Sequence, residues 1–454
     1  MRREFKPING SACTIMWREL EERWLLAPKI IFFAVGLAFY AVYLYRAKYV
    51  TDVLQMTDEQ YGDLSGIMAI MGTFGGTLWA GLADRLKRYK LLLAVLCILL
   101  ALSFETARWV VEPLVGTEKY ALKVTSANVV LAFNAFFLGG LFPLSDYAAL
   151  KILTTHGGEN VCRDLYSRQV LFGTLGYGFV SWVGGKLIKF FTISVLYHLQ
   201  TICSVLAAVA VMIFAPRDTP GSAAETCFSL KDRKEDSKEK EFNTKELSLL
   251  KLLSQGNFLF MLCVVFLIGS ARSVMTTFLG KYWEQAMHLN TEETSLAANA
   301  GIVLEIVIFI MGPFLLRILG VHWMLLLAQL AMVLRAWAYV FLPTNAKHEL
   351  VYAVELLKGL AFGFTQISGT KVVCDNAPPG LLTTAQGLYT TFYAGLPLIF
   401  TSFAGGRCYQ HFGPATLFLF TAGAASAALV LCLLKYIWDG NIVLVNKKTH
   451  SRSV

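Results

Sequence analysis

Four charged side chains interrupt long apolar stretches of the chain: Arg272, Glu305, Arg335 and Glu355. A charge within hydrocarbon is costly, so such residues usually face a water-filled cavity or a partner of opposite charge. Burial favours the neutral acid, whereas a nearby Arg favours the carboxylate. An Arg that moves relative to a Glu therefore changes whether the Glu holds a proton, and such a pair is suited to reversible proton exchange.

Sequence position sorts the four residues into two pairs of equal depth. On helices that rise about 1.5 Å per residue, Arg272 and Glu305 both lie about 16 Å below the same predicted membrane face. On the same rise, Arg335 and Glu355 both lie about 9 Å below it. One interpretation is structural: each pair neutralises itself and fixes adjacent helices. The other is that one carboxylate of a pair exchanges a proton, with the Arg as its regulator.

Other chemistry is not indicated by the sequence. The nine cysteines form no Cys-x-x-Cys motif, and the seven histidines show no metal-ligand spacing. No glycine-rich phosphate-binding loop followed by Lys and Ser or Thr occurs, which argues against a step driven by ATP. We therefore expect no metal, no cofactor and no enzymatic activity.

The composition predicts a polytopic membrane protein. Of 454 residues, 56% are hydrophobic and only 16% are charged, whereas soluble proteins carry about 25% charged residues. A globular core cannot hide that much apolar surface, so lipid must solvate part of it. The apolar stretches are unbroken over about twenty residues, which favours helices over the alternating pattern of a barrel.

Twelve such stretches predict an all-α integral membrane protein with twelve transmembrane helices in two six-helix bundles. The predicted spans are 28–47, 62–84, 90–111, 127–150, 167–187, 192–215, 257–283, 294–317, 322–341, 349–371, 383–405 and 415–436.

Most of the Lys and Arg outside the spans lie at the two termini, in 217–251 and in the other loops of the same face. This bias predicts that both termini are cytosolic. The net charge of +9 is then the usual positive charge of the inner face, and it requires no nucleic-acid partner. We expect a monomer in a lipid bilayer.

Charge patterning also divides the chain. Residues 217–251 are rich in both acids and bases and contain almost no large apolar side chain before Leu247, so they predict a flexible cytosolic linker. The predicted domains are a cytosolic N-terminus (1–27), an N-terminal bundle (28–216), the linker (217–251), a C-terminal bundle (252–437) and a cytosolic tail (438–454).

A short basic loop follows the second span: "AGLADRLKRYK", residues 80–90. It resembles the loop motif of the major facilitator superfamily, a Gly-x-Leu-Ala-Asp-Arg-x-Gly-Arg-Arg pattern. Asp84, Arg85 and Arg88 match this pattern, and Lys87 replaces its second glycine. The resemblance implies that Asp84, Arg85 and Arg88 form a gating loop that locks helix ends in one state.

A second patch, residues 355–413, resembles spans ten and eleven of the branch that contains lactose-permease-like and nucleoside–proton symporter-like proteins. Lys358 stands where this branch has a His. The matching residues are Ala377-Pro378-Pro379, Thr384 to Gly387, Gly405-Gly406 and Tyr409. Pro143, Asp146, Tyr166, Arg168, Gly173 and Gly176 also fit the branch's fourth and fifth spans.

The resemblance implies which helices meet and which residues face the solute. Spans two, five, eight and eleven would form the contact between the bundles, and their glycines suit either sliding or static packing. Spans one, four, seven and ten, with span eleven, would line a central cavity. The candidate cavity residues are Tyr40, Tyr43, Asn134, Asp146, Arg272, Lys358, Gln366, Tyr389 and Tyr393.

The leading prediction is a secondary active transporter that moves a small polar solute, sugar- or nucleoside-like, by alternating access with proton symport. Glu355 with Arg335 is the first candidate for proton coupling, because relatives of the resembled branch pair an Arg in span nine with an acid in span ten. Lys358 could instead occupy Glu355, which leaves open a uniporter of the same fold. A non-transporting membrane sensor or scaffold is the alternative from another class.

Overall fold

The computed structural model describes residues 25–216, 256–343, 346–376 and 382–438, with side chains described except at 154–167, 257–258, 313, 374–376, 382–384 and 386. These residues form helices α1 (Leu26–Tyr40), α2 (Asp58–Leu86), α3 (Tyr89–Thr106), α4 (Tyr120–Phe190), α5 (Val195–Phe214), α6 (Gly256–Gln285), α7 (Thr291–Phe341), α8 (His348–Asn376), α9 (Leu382–Thr390) and α10 (Leu396–Trp438). Short helical segments, Arg46–Lys48, Tyr49–Val53, Ala107–Val111, Glu112–Leu114 and Thr391–Gly395, join or extend them. The described residues contain no strand, so the prediction of an all-α protein is confirmed. The predicted termini and linker lie largely outside the described residues.

Nine helical stretches among the described residues are long and apolar enough to cross a membrane, and α1 is a shorter apolar helix. Three of the helices are too long for one crossing and hold two predicted spans each. Gly320 and Gly413 break the helical backbone of α7 and α10 with φ of 75° and 80°. In α4, the Phe142 ring lies 3.7 Å from a Cβ built on Gly173. Because a straight helix would separate these residues by about 46 Å, the chain reverses direction between them.

Local sequence explains where several helices begin. Thr57 caps α2 by accepting a hydrogen bond from the Gln60 amide, while the Gln60 side chain accepts one from the Thr57 amide. Asn290 and Glu293 form the same reciprocal cap at the start of α7. Each capping box satisfies backbone donors that the first turn leaves unpaired. These two helix starts are at the same end of the molecule, where the N-terminal half (25–216) meets the C-terminal half (256–438).

The basic loop between α2 and α3 is tight, although Lys87 replaces the glycine of the resembled motif. Only Lys87 and Arg88 separate the two helices. Lys87 adopts φ 56° and ψ 24°, the left-handed conformation that glycine adopts without steric cost. Across the loop, the Tyr89 hydroxyl donates a 2.8 Å hydrogen bond to Asp84. The loop is therefore closed by a strained backbone and a side-chain bond.

Replacing Lys87 with Gly is expected to stabilise the protein. A non-glycine residue in the left-handed region costs about 1–2 kcal/mol. Glycine avoids this cost, but its greater conformational freedom in the unfolded chain offsets part of the stabilisation. We expect a net gain of about 1 kcal/mol, measured as a higher thermal unfolding midpoint in detergent. Lys87→Ala removes the same charge but keeps the Cβ, so it should give no such gain. An equal gain from both variants would show that charge, and not backbone strain, is responsible.

The halves meet where α2 packs on α10 and where the second span of α4 packs on the first part of α7. A Cβ on Gly62 would lie 2.6 Å from the Gly406 Cα, and one on Gly178 would lie 2.8 Å from the Asn299 side chain. Predicted spans two and eleven, and five and eight, thus touch across the halves. Other predicted glycines pack within the N-terminal half: Gly72 and Gly76 face α4, and Gly173 and Gly176 face α1.

Candidate functional site

A cavity of about 550 Å³ lies between the two halves. Most of its lining side chains come from α1, the second span of α4, α6, α7 and α8. The polar and aromatic lining residues include Tyr40, Tyr43, Tyr61, Phe142, Thr174, Tyr177, Arg272, Trp283, Glu305, Phe309, Arg335, Glu355, Lys358, Phe362, Gln366 and Tyr393. This volume is in the range of small-molecule sites, which are typically about 300–1,000 Å³.

One wall of the cavity contains a buried ion pair that is fully hydrogen-bonded. Arg335 donates from Nε and Nη2 to the two oxygens of Glu355, each at 3.0 Å. The Tyr339 hydroxyl donates to the same carboxylate at 2.7 Å, and Trp283 donates to Tyr339 at 3.1 Å. Arg335 is 5% exposed and Glu355 is 0% exposed. A bidentate pair of this kind is strong and directional, so it fixes the position of the Glu355 side chain in this conformation.

The second predicted pair is arranged differently. The charge of Lys358 acts on Glu305 more strongly than the charge of Arg272 does, and the Thr174 hydroxyl forms a hydrogen bond with Glu305. The Arg272 guanidinium lies 5.2 Å from the ring centroids of both Phe362 and Tyr393. Lys358 donates to the Ala298 carbonyl at 3.4 Å and forms no ion pair with Glu355 among the described residues. The alternative that Lys358 occupies Glu355 is therefore not observed.

Two glycines explain why Glu305 and Lys358 come together. A Cβ on Gly359 would collide with the Gly301 carbonyl, and a Cβ on Gly301 would lie 2.9 Å from the Lys358 Cδ. The lack of side chains at both positions lets α7 and α8 approach closely. Glu305 is one turn after Gly301, and Lys358 directly precedes Gly359, so this approach sets their distance.

Tyrosine rings line much of the rest of the cavity. The helical backbone tightens after Tyr40, with the Tyr43 amide bonding the Tyr40 carbonyl at 3.1 Å. Tyr40 and Tyr43 therefore share a face, and Tyr177 packs against Tyr40 with centroids 4.7 Å apart. Tyr393 comes from a π-helical segment, Thr391–Gly395. Such bulges often occur at functional sites, because they turn one side chain out of the regular helical pattern.

Three predicted cavity residues do not line the cavity. Asn134 donates to the Ser103 hydroxyl at 3.0 Å and to the Leu100 carbonyl, so it joins α3 to α4. Tyr389 is 3% exposed and donates to the Thr365 carbonyl at 3.1 Å. Asp146 has interactions of its own within the fold but is absent from the lining. For Asn134 and Tyr389 the span was predicted, but the rotation of the helix directs the side chain to a neighbouring helix.

Sequence reasoning missed Tyr177 and Thr174, which lie opposite Glu305 and Lys358. Both fall within the glycine-rich run of the fifth predicted span, next to Gly173, Gly176 and Gly178. The available signal was their position: Thr174 and Tyr177 are the hydroxyl-bearing side chains between Gly173, Gly176 and Gly178, and such side chains must point away from the glycine-lined contacts.

Ion pairs join the two halves at one end of the cavity, which we name the closed end. Lys48 pairs with Glu284 at 2.8 Å, Lys189 with Glu292 at 2.6 Å, Lys281 with Asp58, and Arg407 with Asp63 at 3.1 Å. Behind them, the Tyr61 hydroxyl donates to the Thr277 carbonyl at 3.0 Å, and Tyr61 packs on Phe278. The pairs of Lys189 and Arg407 are exposed and contribute only about 0–1 kcal/mol each, whereas Lys281 is buried at 5% exposure.

The fold and the cavity together define a class: a multi-pass integral membrane transporter of the major facilitator kind, and not an enzyme. Within it, the chain belongs to the MFS_1 like family, whose model matches residues 29–420.

Individual relatives agree. The uncharacterized transporter YwbF of Bacillus subtilis (strain 168) is 22% identical over 398 residues, which is 85% of this chain and 88% of that protein. Crystal structures of the nucleoside transporter NupG and of a point mutant are similar to this chain at 16% identity, with TM-scores of 0.71 and 0.72. They cover 90% of this chain and 98% and 99% of theirs.

Proposed function

We propose that this transporter moves a small polar solute, sugar- or nucleoside-like, by alternating access together with a proton. The observation that supports this most is the arrangement of the cavity, which lies between the halves and is sealed at one end by breakable contacts. It extends from Tyr61 near the closed end to Val170 and Thr370. Thr370 lies twenty-two residues, about 33 Å, along α8 from His348, which pairs with Glu293 near the closed end.

The closed end is the extracellular or luminal end under the predicted topology, which places both termini in the cytosol. The conformation is then inward-facing. Opening the closed end requires the halves to separate along the α2–α10 and α4–α7 contacts. The small residues there make such sliding inexpensive, as expected for bundles that rock around a fixed site.

Glu355 is the proposed coupling carboxylate, and Arg335 is its regulator. In this conformation, the bidentate contact places the Arg335 guanidinium directly on the Glu355 carboxyl group. If Arg335 withdraws when the halves rearrange, the carboxylate is left in a poorly solvated site, where protonation removes the cost of its charge. Glu305 with Arg272 is the second candidate pair, and Thr174 and Lys358 beside Glu305 keep it hydrogen-bonded and compensated.

The solute class is supported by the lining. Tyrosine rings, three cations, two carboxylates and Gln366 surround a volume that fits a small hydroxylated ring. The nucleoside-like solute is included in the proposal because this chain shares its fold with the nucleoside transporter NupG.

Uptake into proteoliposomes tests this function. We expect solutes that raise the thermal unfolding midpoint of the purified protein to accumulate above the external concentration when a proton gradient points inward. A gradient of one pH unit supplies about 1.4 kcal/mol per proton, enough for about tenfold accumulation with one proton. Equilibration without accumulation would establish a uniporter. Specific binding without any flux would establish a sensor.

A further inference from the structure

The charges that line the cavity do not balance. Among the described residues, five charged side chains line it: Arg272, Arg335, Lys358, Glu305 and Glu355. Arg335 and Glu355 satisfy each other in the bidentate pair. Arg272 and Lys358 are left to share one carboxylate, Glu305, and neither takes part in an ion pair within the described residues. The cavity therefore has an excess of one positive charge.

Among the described residues, neither Arg272 nor Lys358 donates a side-chain hydrogen bond to a carboxylate. The guanidinium of Arg272 is held between the Phe362 and Tyr393 rings, so its contacts are with ring faces. A guanidinium packed this way keeps its N–H edges available for a planar, two-oxygen partner. Lys358 has three N–H donors, and the long bond to the Ala298 carbonyl uses one of them.

We propose that the transported solute carries a single negative charge, as a carboxylate on a small planar ring, and that Arg272 and Lys358 bind this group. This rests on the proposed transport function and narrows its substrate class. A bound monoanion neutralises the cavity, whereas a neutral solute leaves one poorly solvated charge uncompensated. A cationic solute would add a second uncompensated charge. The rings of Tyr40, Tyr43 and Tyr177 supply flat walls for the ring of the solute.

Charge selection has a consequence for coupling. If one proton moves with one monoanion, the pair is neutral and its passage moves no net charge. A pH gradient then drives accumulation, but a membrane potential does not. A neutral solute moved with one proton would instead be driven by the potential, at about 2.3 kcal/mol per 100 mV.

Matched pairs of solutes test the proposal. The probes are uridine and orotidine, and nicotinamide and nicotinate, with uridine monophosphate to separate phosphate from carboxylate. We expect the carboxylate member of at least one pair to raise the thermal unfolding midpoint, and to be taken up, at concentrations at which its neutral partner has no effect. Its uptake should respond to an inward pH gradient and not to a potassium diffusion potential set with valinomycin.

Lys358→Gln removes the excess charge and should weaken carboxylate binding about tenfold to a hundredfold, because a charge-assisted hydrogen bond contributes about 1.5–3 kcal/mol. The matched control is Lys119→Gln, which removes an exposed Lys outside the cavity and should leave binding unchanged. Lys358→Gln should also reduce the discrimination between the members of a pair.

The outcomes distinguish a failure of the charge selection from a failure of the proposed function and its solute class. Uptake of a neutral member with equal or higher affinity, unaffected by Lys358→Gln, overturns the charge selection and leaves the transport function standing. Preference for uridine monophosphate over orotidine overturns the carboxylate assignment. If no probe binds or is taken up by the wild-type protein, the charge selection and the proposed solute class both fail.

Discussion

Glu355→Gln is expected to abolish proton-driven accumulation while leaving the protein able to equilibrate its solute. The amide cannot exchange a proton, but it has nearly the same shape and retains acceptor and donor groups for Tyr339 and its surroundings. Under an inward gradient of one pH unit, the internal-to-external ratio should fall from about ten to about one. The measurement is uptake of labelled solute into proteoliposomes with and without the gradient, together with exchange at equal concentrations on both sides.

Folding must be separated from coupling in this experiment, because the substitution leaves Arg335 charged and buried. Breaking one side of a buried pair typically costs about 3–5 kcal/mol. The double variant Arg335→Gln with Glu355→Gln removes both charges, so it should recover most of the lost thermal stability without recovering accumulation. Accumulation that survives in the folded single variant would exclude Glu355 as the coupling carboxylate.

The pairing of Arg335 with Glu355 could be predicted from sequence because it depends on depth. Helical rise is nearly constant, so counting residues from the span ends places both side chains at one level. The same count put Arg272 level with Glu305, yet Lys358 is the stronger neighbour of Glu305. Depth does not specify rotation, and rotation here follows from the close approach at Gly301 and Gly359, which is a tertiary contact.

The existence of a span can be predicted from the sequence, but the rotation of that span about its own axis cannot. Runs of about twenty apolar residues predict that a helix crosses the membrane, and the ends of the described helices lie within seven residues of most predicted bounds. The same runs do not show which face of a span meets water. Asn134 lies on a predicted cavity helix but is turned to Ser103, while Tyr177 lies in a predicted contact helix but lines the cavity.

Lys87 shows that the tight turn of a motif can form even when another residue replaces the glycine that adopts its backbone conformation without strain. Lys87 replaces the second glycine of the resembled motif, yet the backbone at Lys87 adopts the left-handed conformation. The connection between α2 and α3 is fixed by the helices on both sides and by the bond from Tyr89 to Asp84. The two helix ends therefore impose the turn, and the residue bears the strain.

Gly406→Val is expected to stop transport by preventing the closed end from closing. A Cβ at this position would lie 2.7 Å from the Gly62 Cα, 3.0 Å from the Asp58 carbonyl oxygen and 3.1 Å from the Glu59 carbonyl oxygen. All three neighbours are backbone atoms of α2, so a side chain cannot be accommodated by a rotamer change. The halves must separate here, and overpacking of this kind typically costs about 1–3 kcal/mol.

A penalty of about 3 kcal/mol on the closed conformation lowers its population on the order of a hundredfold, and the transport rate should fall with it. Gly423→Val is the matched control, since it adds the same side chain to the same helix, α10, where nothing lies within 4 Å. A reporter cysteine, Thr276→Cys, lies in the cavity and is exposed. An impermeant thiol reagent applied from the predicted outer side should label it faster in Gly406→Val than in the control. Wild-type transport by Gly406→Val would mean that this contact is static packing, and that the halves do not move against each other along α2 and α10.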